Sequence, residues 1–254
     1  MRTFLGIVRY EYRMGVRRWG TWLAFALASL PYTLSFADFH GAWEGWGTNT
    51  WHLAGSAGLT FNVLMPVVGG IAMADRLERD WRLGVHELLQ ATPLARGTYV
   101  LGKYVGAVLA VLTPVFVAWL VELAGLLATG APASIVLPWP LVFLAVIVPA
   151  YAFVGAFSLA CPAVLPVRVY QVLFTGYWFW GNFLSPDFLP TVNGTLLTAS
   201  GIFAAGGFFS SSNIPAQPVH TTVEAVLNLA VLAACAAVAL VTLDRYLAWQ
   251  AKRA

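Results

Sequence analysis

Charge is what this chain has least of: 10% of its 254 residues are Asp, Glu, Lys or Arg, against roughly a quarter in soluble domains, while 59% are hydrophobic. Most side chains therefore do not face water. Three stretches, Trp19 to Ala37, Leu53 to Ala74 and Tyr104 to Val121, contain no charged residue at all. Lipid offers the backbone no partner outside its own helix, so such runs read as spanning helices and the chain as an all-α integral membrane protein. The two cysteines, Cys161 and Cys235, sit inside apolar runs with no CxxC and no acid or His at ligand spacing. They read as small packing residues, which excludes a metal or redox centre. The four histidines, His40, His52, His86 and His220, fall in loops or at span edges, and there is no GxSxG, so intramembrane hydrolysis has no machinery. Gly97 to Lys103 satisfies GxxxxGK, but Tyr104 follows where a phosphate loop needs Ser or Thr, and no strand precedes it. The chain is thus expected to be no enzyme by itself, with no nucleotide site, cofactor or metal of its own.

Lys and Arg are also missing from every second connection. Five precede the first apolar run, five lie between the second and third, one between the fourth and fifth, and three follow the last, which accounts for all 14. The positive-inside bias then predicts six spans with both termini in the cytoplasm, because an odd number would place the basic tail outside. The expected spans are Thr21 to Ala37, Leu53 to Ala74, Tyr104 to Leu127, Trp139 to Ala160, Val169 to Ser185 and Ala225 to Leu243. The first apolar run lacks a small-x-small cleavage pattern and reads as a retained helix.

Before it, residues 1–19 are too polar to span. Arg2, Arg9, Arg13 and Arg17 share one side at helical spacing, while Phe4, Val8, Tyr12 and Trp19 occupy much of another. That pattern describes an interfacial amphipathic helix with its basic face towards anionic lipid, or else a positive flank that sets orientation. Residues 186–222 carry no Lys or Arg, and the apolar LLTASGIFAAGGFF within them predicts short outer re-entrant helices between the fifth and sixth spans.

Polar residues inside the spans are the candidate pathway or dimer-interface positions. Glu122 lies about 28 Å along a helix from Lys103, near the far rim, where it either meets cargo or edges into solvent. The fifth span is the most aromatic and holds Gln171, Tyr177 and Asn182. One face of it meets protein or a water-lined path, or these groups simply join helices.

The largest cytoplasmic segment, residues 75–103, lies between two uncharged runs. Asp75/Arg79 and Glu78/Arg82 fall at i,i+4 in the acid-first order, and Leu77, Trp81, Val85 and Leu88 make an apolar stripe. The spacing predicts a helix, a bend at Gly84, a second short helix over about Val85 to Gln90 ended by Pro93, then a turn into the third span. Such a stripe wants a partner surface.

The string Asp80-x-x-x-Gly84-x-x-Glu87-Leu88-Leu89-x-x-x-Pro93, followed by Gly102-Lys103 and, far later, the outer TLLTASG stretch, resembles the permease subunits of ABC-2 type transporters. The resemblance covers essentially the whole chain as one transmembrane domain, residues 1–254. It implies a multi-pass permease of the cell (inner) membrane, probing no nucleotide itself. Energy would come from a separate ABC ATPase, two copies per complex, which holds ATP and Mg. It further implies that the ATPase contact includes Arg82, Gly84, Val85, Glu87, Leu88, Leu89 and Pro93, and that a second permease subunit completes a homo- or heterodimer. Spans one, two and five would border the path, and the direction would be export. The alternative is an ATP-independent secondary transporter or channel-like protein, which the lack of charge at mid-membrane disfavours.

Overall fold

The computed structural model describes residues 2–35, 49–82, 84, 95–187, 189–211 and 220–252. Every regular element among them is helical. Helix α1 (Arg2–Val16) is followed after two residues by α2 (Trp19–Ser35), then α3 (Thr50–Met73), α4 (Arg76–Arg82) and α5 (Arg96–Ala128). A helical run α6 (Ala133–Ala163), α7 (Val167–Phe183), a short α8 (Ile202–Phe209) and α9 (Thr222–Gln250) complete the described elements.

Four helical stretches are long and apolar enough to cross a bilayer: Thr50–Asp80, Arg96–Ala128, Ala133–Ala163 and Thr222–Gln250. Helices α2 and α7, expected as the first and fifth spans, have 17 residues each. At 1.5 Å per residue that is about 26 Å, somewhat under the hydrocarbon thickness.

Local chemistry accounts for the ends. Asn49 caps α3, its side chain accepting from the backbone of Trp51 and His52. Thr221 and Glu224 form a reciprocal capping box that starts α9 three residues before the expected boundary at Ala225. Helix α5 departs furthest from expectation. The segment before Tyr104 was expected to be a turn, yet α5 is continuous from Arg96, with Gly97, Gly102 and Lys103 on helix. Glycine costs an isolated helix stability, but at Gly102 the close approach of Ile7 and Phe4 repays it.

Helix α6 contains a π-helical turn, Phe143–Ile147. Pro149 follows and has no N–H to give to that turn, which widens the helix there. Within that turn the carbonyl of Val146 accepts from Asn62 Nδ2 of α3 at 3.1 Å. Towards the C-terminal end of α5, α5 and α6 are joined by Trp119 and Trp139. Their rings stack at 3.9 Å, and each indole N–H donates to the other's backbone carbonyl, at 3.1 and 2.9 Å. Both indoles are buried and both donors are satisfied, as lipid-depth packing requires.

Candidate functional site

Helix α1 does not cross α5; it runs beside it in the same direction. Phe4 and Ile7 meet Gly102, Val8 and Glu11 meet Gly106, and Gly15 meets Ala110. The notches repeat every four residues, the spacing at which small residues line one helix face and let two backbones close up. A Cβ at Gly106 would stand 2.6 Å from Glu11 Cβ and 2.8 Å from the Val8 carbonyl oxygen, and one at Gly15 would stand 2.4 Å from Ala110 Cβ.

That approach places Glu11, on the packed face of an otherwise basic helix, against the first turns of α5. Its Oε1 accepts from Lys103 Nζ at 2.7 Å. The same ammonium donates to Asp80 Oδ2 of α4, also at 2.7 Å, and Tyr99 one turn earlier donates its hydroxyl to the same oxygen. Arg76, which opens α4, brings Nη1 to 3.8 Å from Glu11 Oε2. All four charged groups are buried, Arg76 and Lys103 completely. Two acids face two bases, so the cluster is neutral, and α1, α4 and the base of α5 share it. Desolvating each ion costs several kcal/mol, which only close pairing offsets, so removing one partner strands the others.

A second pair closes the same end of the molecule. Arg18 donates to both carboxylate oxygens of Asp75 at 3.0 and 2.6 Å, tying the start of α2 to the end of α3. The Asp75 hydrogen bonds raise the Arg18 pKa above its ordinary value. Beside this pair lies a cavity of about 600 Å³ between α2, α3 and α7, lined by Ala24, Val68, Ile71 and Gln171 among others.

The residues expected to form the site part company. Arg82 ends α4, exposed, pairing with Glu78 one turn earlier. Gly84 takes the left-handed conformation, φ 67°, that marks a bend. Val85, Glu87, Leu88, Leu89 and Pro93 lie outside the described residues. Gln171 reaches the Ile71 carbonyl at 3.3 Å and joins the cavity beside Asp75. Tyr177 instead faces a separate apolar cavity of about 370 Å³ between α6 and α7, with Phe153, Phe157 and Tyr170. Glu122 is 6% exposed on α5, and its Oε2 has no hydrogen-bond partner among the described residues.

Asn182 works within the chain. Its Oδ1 accepts from the Ala199 N–H at 2.8 Å and its Nδ2 donates to the Trp178 carbonyl. Asn62 donates to the Ser200 carbonyl at 3.0 Å, and Asn228 of α9 donates to the carbonyls of Leu196 and Thr198 at 2.9 and 3.0 Å. Three buried asparagines on α3, α7 and α9 thus hold the stretch at residues 196–200 by its backbone. A non-helical segment buried among helices is tolerated where its peptide groups are paired in this way.

Sequence reading missed the ion cluster: Glu11, Arg76 and Tyr99 had no assigned role, and Asp80 and Lys103 served only as parts of a motif. One signal was present. Glu11 is the sole acid among the first 37 residues and falls on the stripe of Phe4 and Val8.

The family described as ABC-2 family transporter protein matches residues 5–246. No curated protein matches the chain. The match takes in nearly all of α1, the ion cluster, the long helices and residues 196–200 alike, and the chain belongs to the ABC-2 transporter family, a multi-pass membrane permease of the ABC class.

Proposed function

We propose that this permease is driven by a separate ABC ATPase that docks on residues 75–103, and that the Glu11–Lys103–Asp80 cluster delivers the ATPase's movement to the membrane helices. Six spans with both termini in the cytoplasm place that segment on the ATPase side. Two ATPase copies, holding ATP and Mg, act on two permease chains in the cell (inner) membrane, and the direction is export. When the docked segment is displaced, α4 cannot move without α1 and α5, because moving it alone would pull Asp80 from Lys103 and leave a buried carboxylate without its partner. The three elements therefore move as one body. The cavity beside Arg18, Asp75 and Gln171 is the inner mouth of the path, open to an amphipathic cargo. The observation that carries this reading is the doubly paired, completely buried Lys103 at the root of the docking segment.

Co-purification tests it. A soluble ATPase should accompany the wild-type chain, and Glu87→Arg combined with Leu88→Asp should release it while the permease still inserts. Retained association would remove the docking assignment, and transport that continues without ATP would favour a secondary carrier.

A further inference from the structure

The charged end of the larger cavity is not evenly balanced. Arg18 gives two of a guanidinium's five N–H groups to Asp75, and no other acceptor meets it among the described residues. Both Asp75 oxygens are taken by those same bonds. Among the described residues Asp75 is the sole acid lining the cavity, whereas the charges of Arg76 and Arg79 reach it as well as that of Arg18. Arg76 is itself short of acceptors: none of its three nitrogens has a hydrogen-bond partner among the described residues, and Glu11, 3.8 Å away, is held by Lys103. Guanidinium donors therefore outnumber carboxylate acceptors here. Of the three arginines, Arg18 alone lines the cavity, with its side chain 33% exposed.

The cavity changes character along its length. Ala24 lies six residues past Arg18 along α2, and Val68 seven residues before Asp75 along α3, so apolar walls continue for about 9–10 Å beyond the charged pair. Ile71 and Ala72 belong to the same wall. A space of about 600 Å³ with a donor-rich end and an apolar side suits a molecule with one small charged head and a hydrocarbon tail.

We infer that this cavity selects cargo by charge: it takes an amphiphile whose head is an anion of the phosphate or carboxylate class, seated on the free N–H edge of Arg18 with its tail along α2 and α3. A guanidinium fork matches either anion with two parallel hydrogen bonds. A cationic head would find both Asp75 oxygens already occupied and three guanidinium groups close by, a like-charge arrangement that rejects it. That the bound molecule is cargo rests on the cavity being the inner mouth of the path, as proposed above.

Three diazirine-bearing probes of equal chain length test the inference: an alkyl phosphate, an alkyl trimethylammonium and an alkyl maltoside. Each is photolysed with the purified full chain in a neutral detergent, and the labelled peptides are mapped by mass spectrometry. The phosphate probe should mark the peptides holding Ala24 and Val68 to Ala72 at least about tenfold more than the other two, the margin expected of one charge-assisted hydrogen bond. Dodecyl phosphate should compete with that labelling and inorganic phosphate should not; competition by inorganic phosphate alone overturns the amphiphile in favour of a free anion. Arg18→Gln/Asp75→Asn removes both charges together, strands neither, and should erase the preference, while Arg18→Lys should keep part of it. A preference that survives the double variant overturns the inference, and so does equal labelling by all three probes or stronger labelling by the ammonium. In the complex with its ATPase, the alkyl phosphate should stimulate ATP hydrolysis. Labelling without stimulation makes the molecule a resident lipid and overturns its role as cargo. Absence of any associating ATPase would instead remove the proposed drive, and the charge preference of the cavity would still be read from the probes.

Discussion

Lys103 holds two carboxylates from two other helices, and its removal is the most damaging single change to expect. Lys103→Met should cost about 3–5 kcal/mol, because Glu11 and Asp80 are left buried and uncompensated. Adding Glu11→Gln to it removes one stranded charge and should recover part of the loss. Thermal unfolding of the single and double variants in detergent measures that coupling, and strictly additive losses would dissolve the cluster as a unit. A neutral counterpart exists around residues 196–200. Asn228→Leu leaves the Leu196 and Thr198 carbonyls without their donor, at a cost of about 1–3 kcal/mol. Hydrogen exchange over residues 195–201 should accelerate in that variant, while exchange in α4 and the first turns of α5 stays as it was.

Among the elements, α1 and α5 depend on absent side chains. Gly106→Val forces a Cβ against the Val8 carbonyl and Glu11, so it should destabilise by about 1–3 kcal/mol and expose α1 to protease. Gly6→Ala on the same helix meets nothing within 4 Å and should be neutral or slightly stabilising. Limited proteolysis of both variants separates a packing notch from a merely flexible glycine. These notches explain where sequence reading fell short. Pro93 suggested a turn leading into a span from Tyr104, whereas the fold starts the helix at Arg96, runs it through Gly97 and uses Gly102 to seat Phe4 and Ile7. The bend at Gly84 and the short helix Arg76–Arg82 were legible, since an acid-first charge spacing and a left-handed position are written in neighbouring residues. Asn182, expected at a pathway, at a dimer interface or joining helices, accepts from the Ala199 N–H, a partner in another segment of chain that sequence spacing does not reveal.

At the scale of the whole molecule, six spans with the basic segments on one side remain the arrangement to test. Single cysteines at Thr3 and at Ala251, in a background with Cys161 and Cys235 replaced by Ala, should both be labelled from the cytoplasmic face and neither from outside, and opposite sidedness would require an odd number of crossings. Membrane residence and helical class follow from the composition, because an uncharged run of twenty residues has one stable form in lipid whatever surrounds it. Which polar residues meet was left to the tertiary structure. Glu11 and Lys103 are 92 positions apart, and Asn62 and Ser200 are 138 apart. Hydropathy acts along the chain and is read there, whereas a buried ion pair exists only when packing has brought two distant helices close enough to exclude water between them.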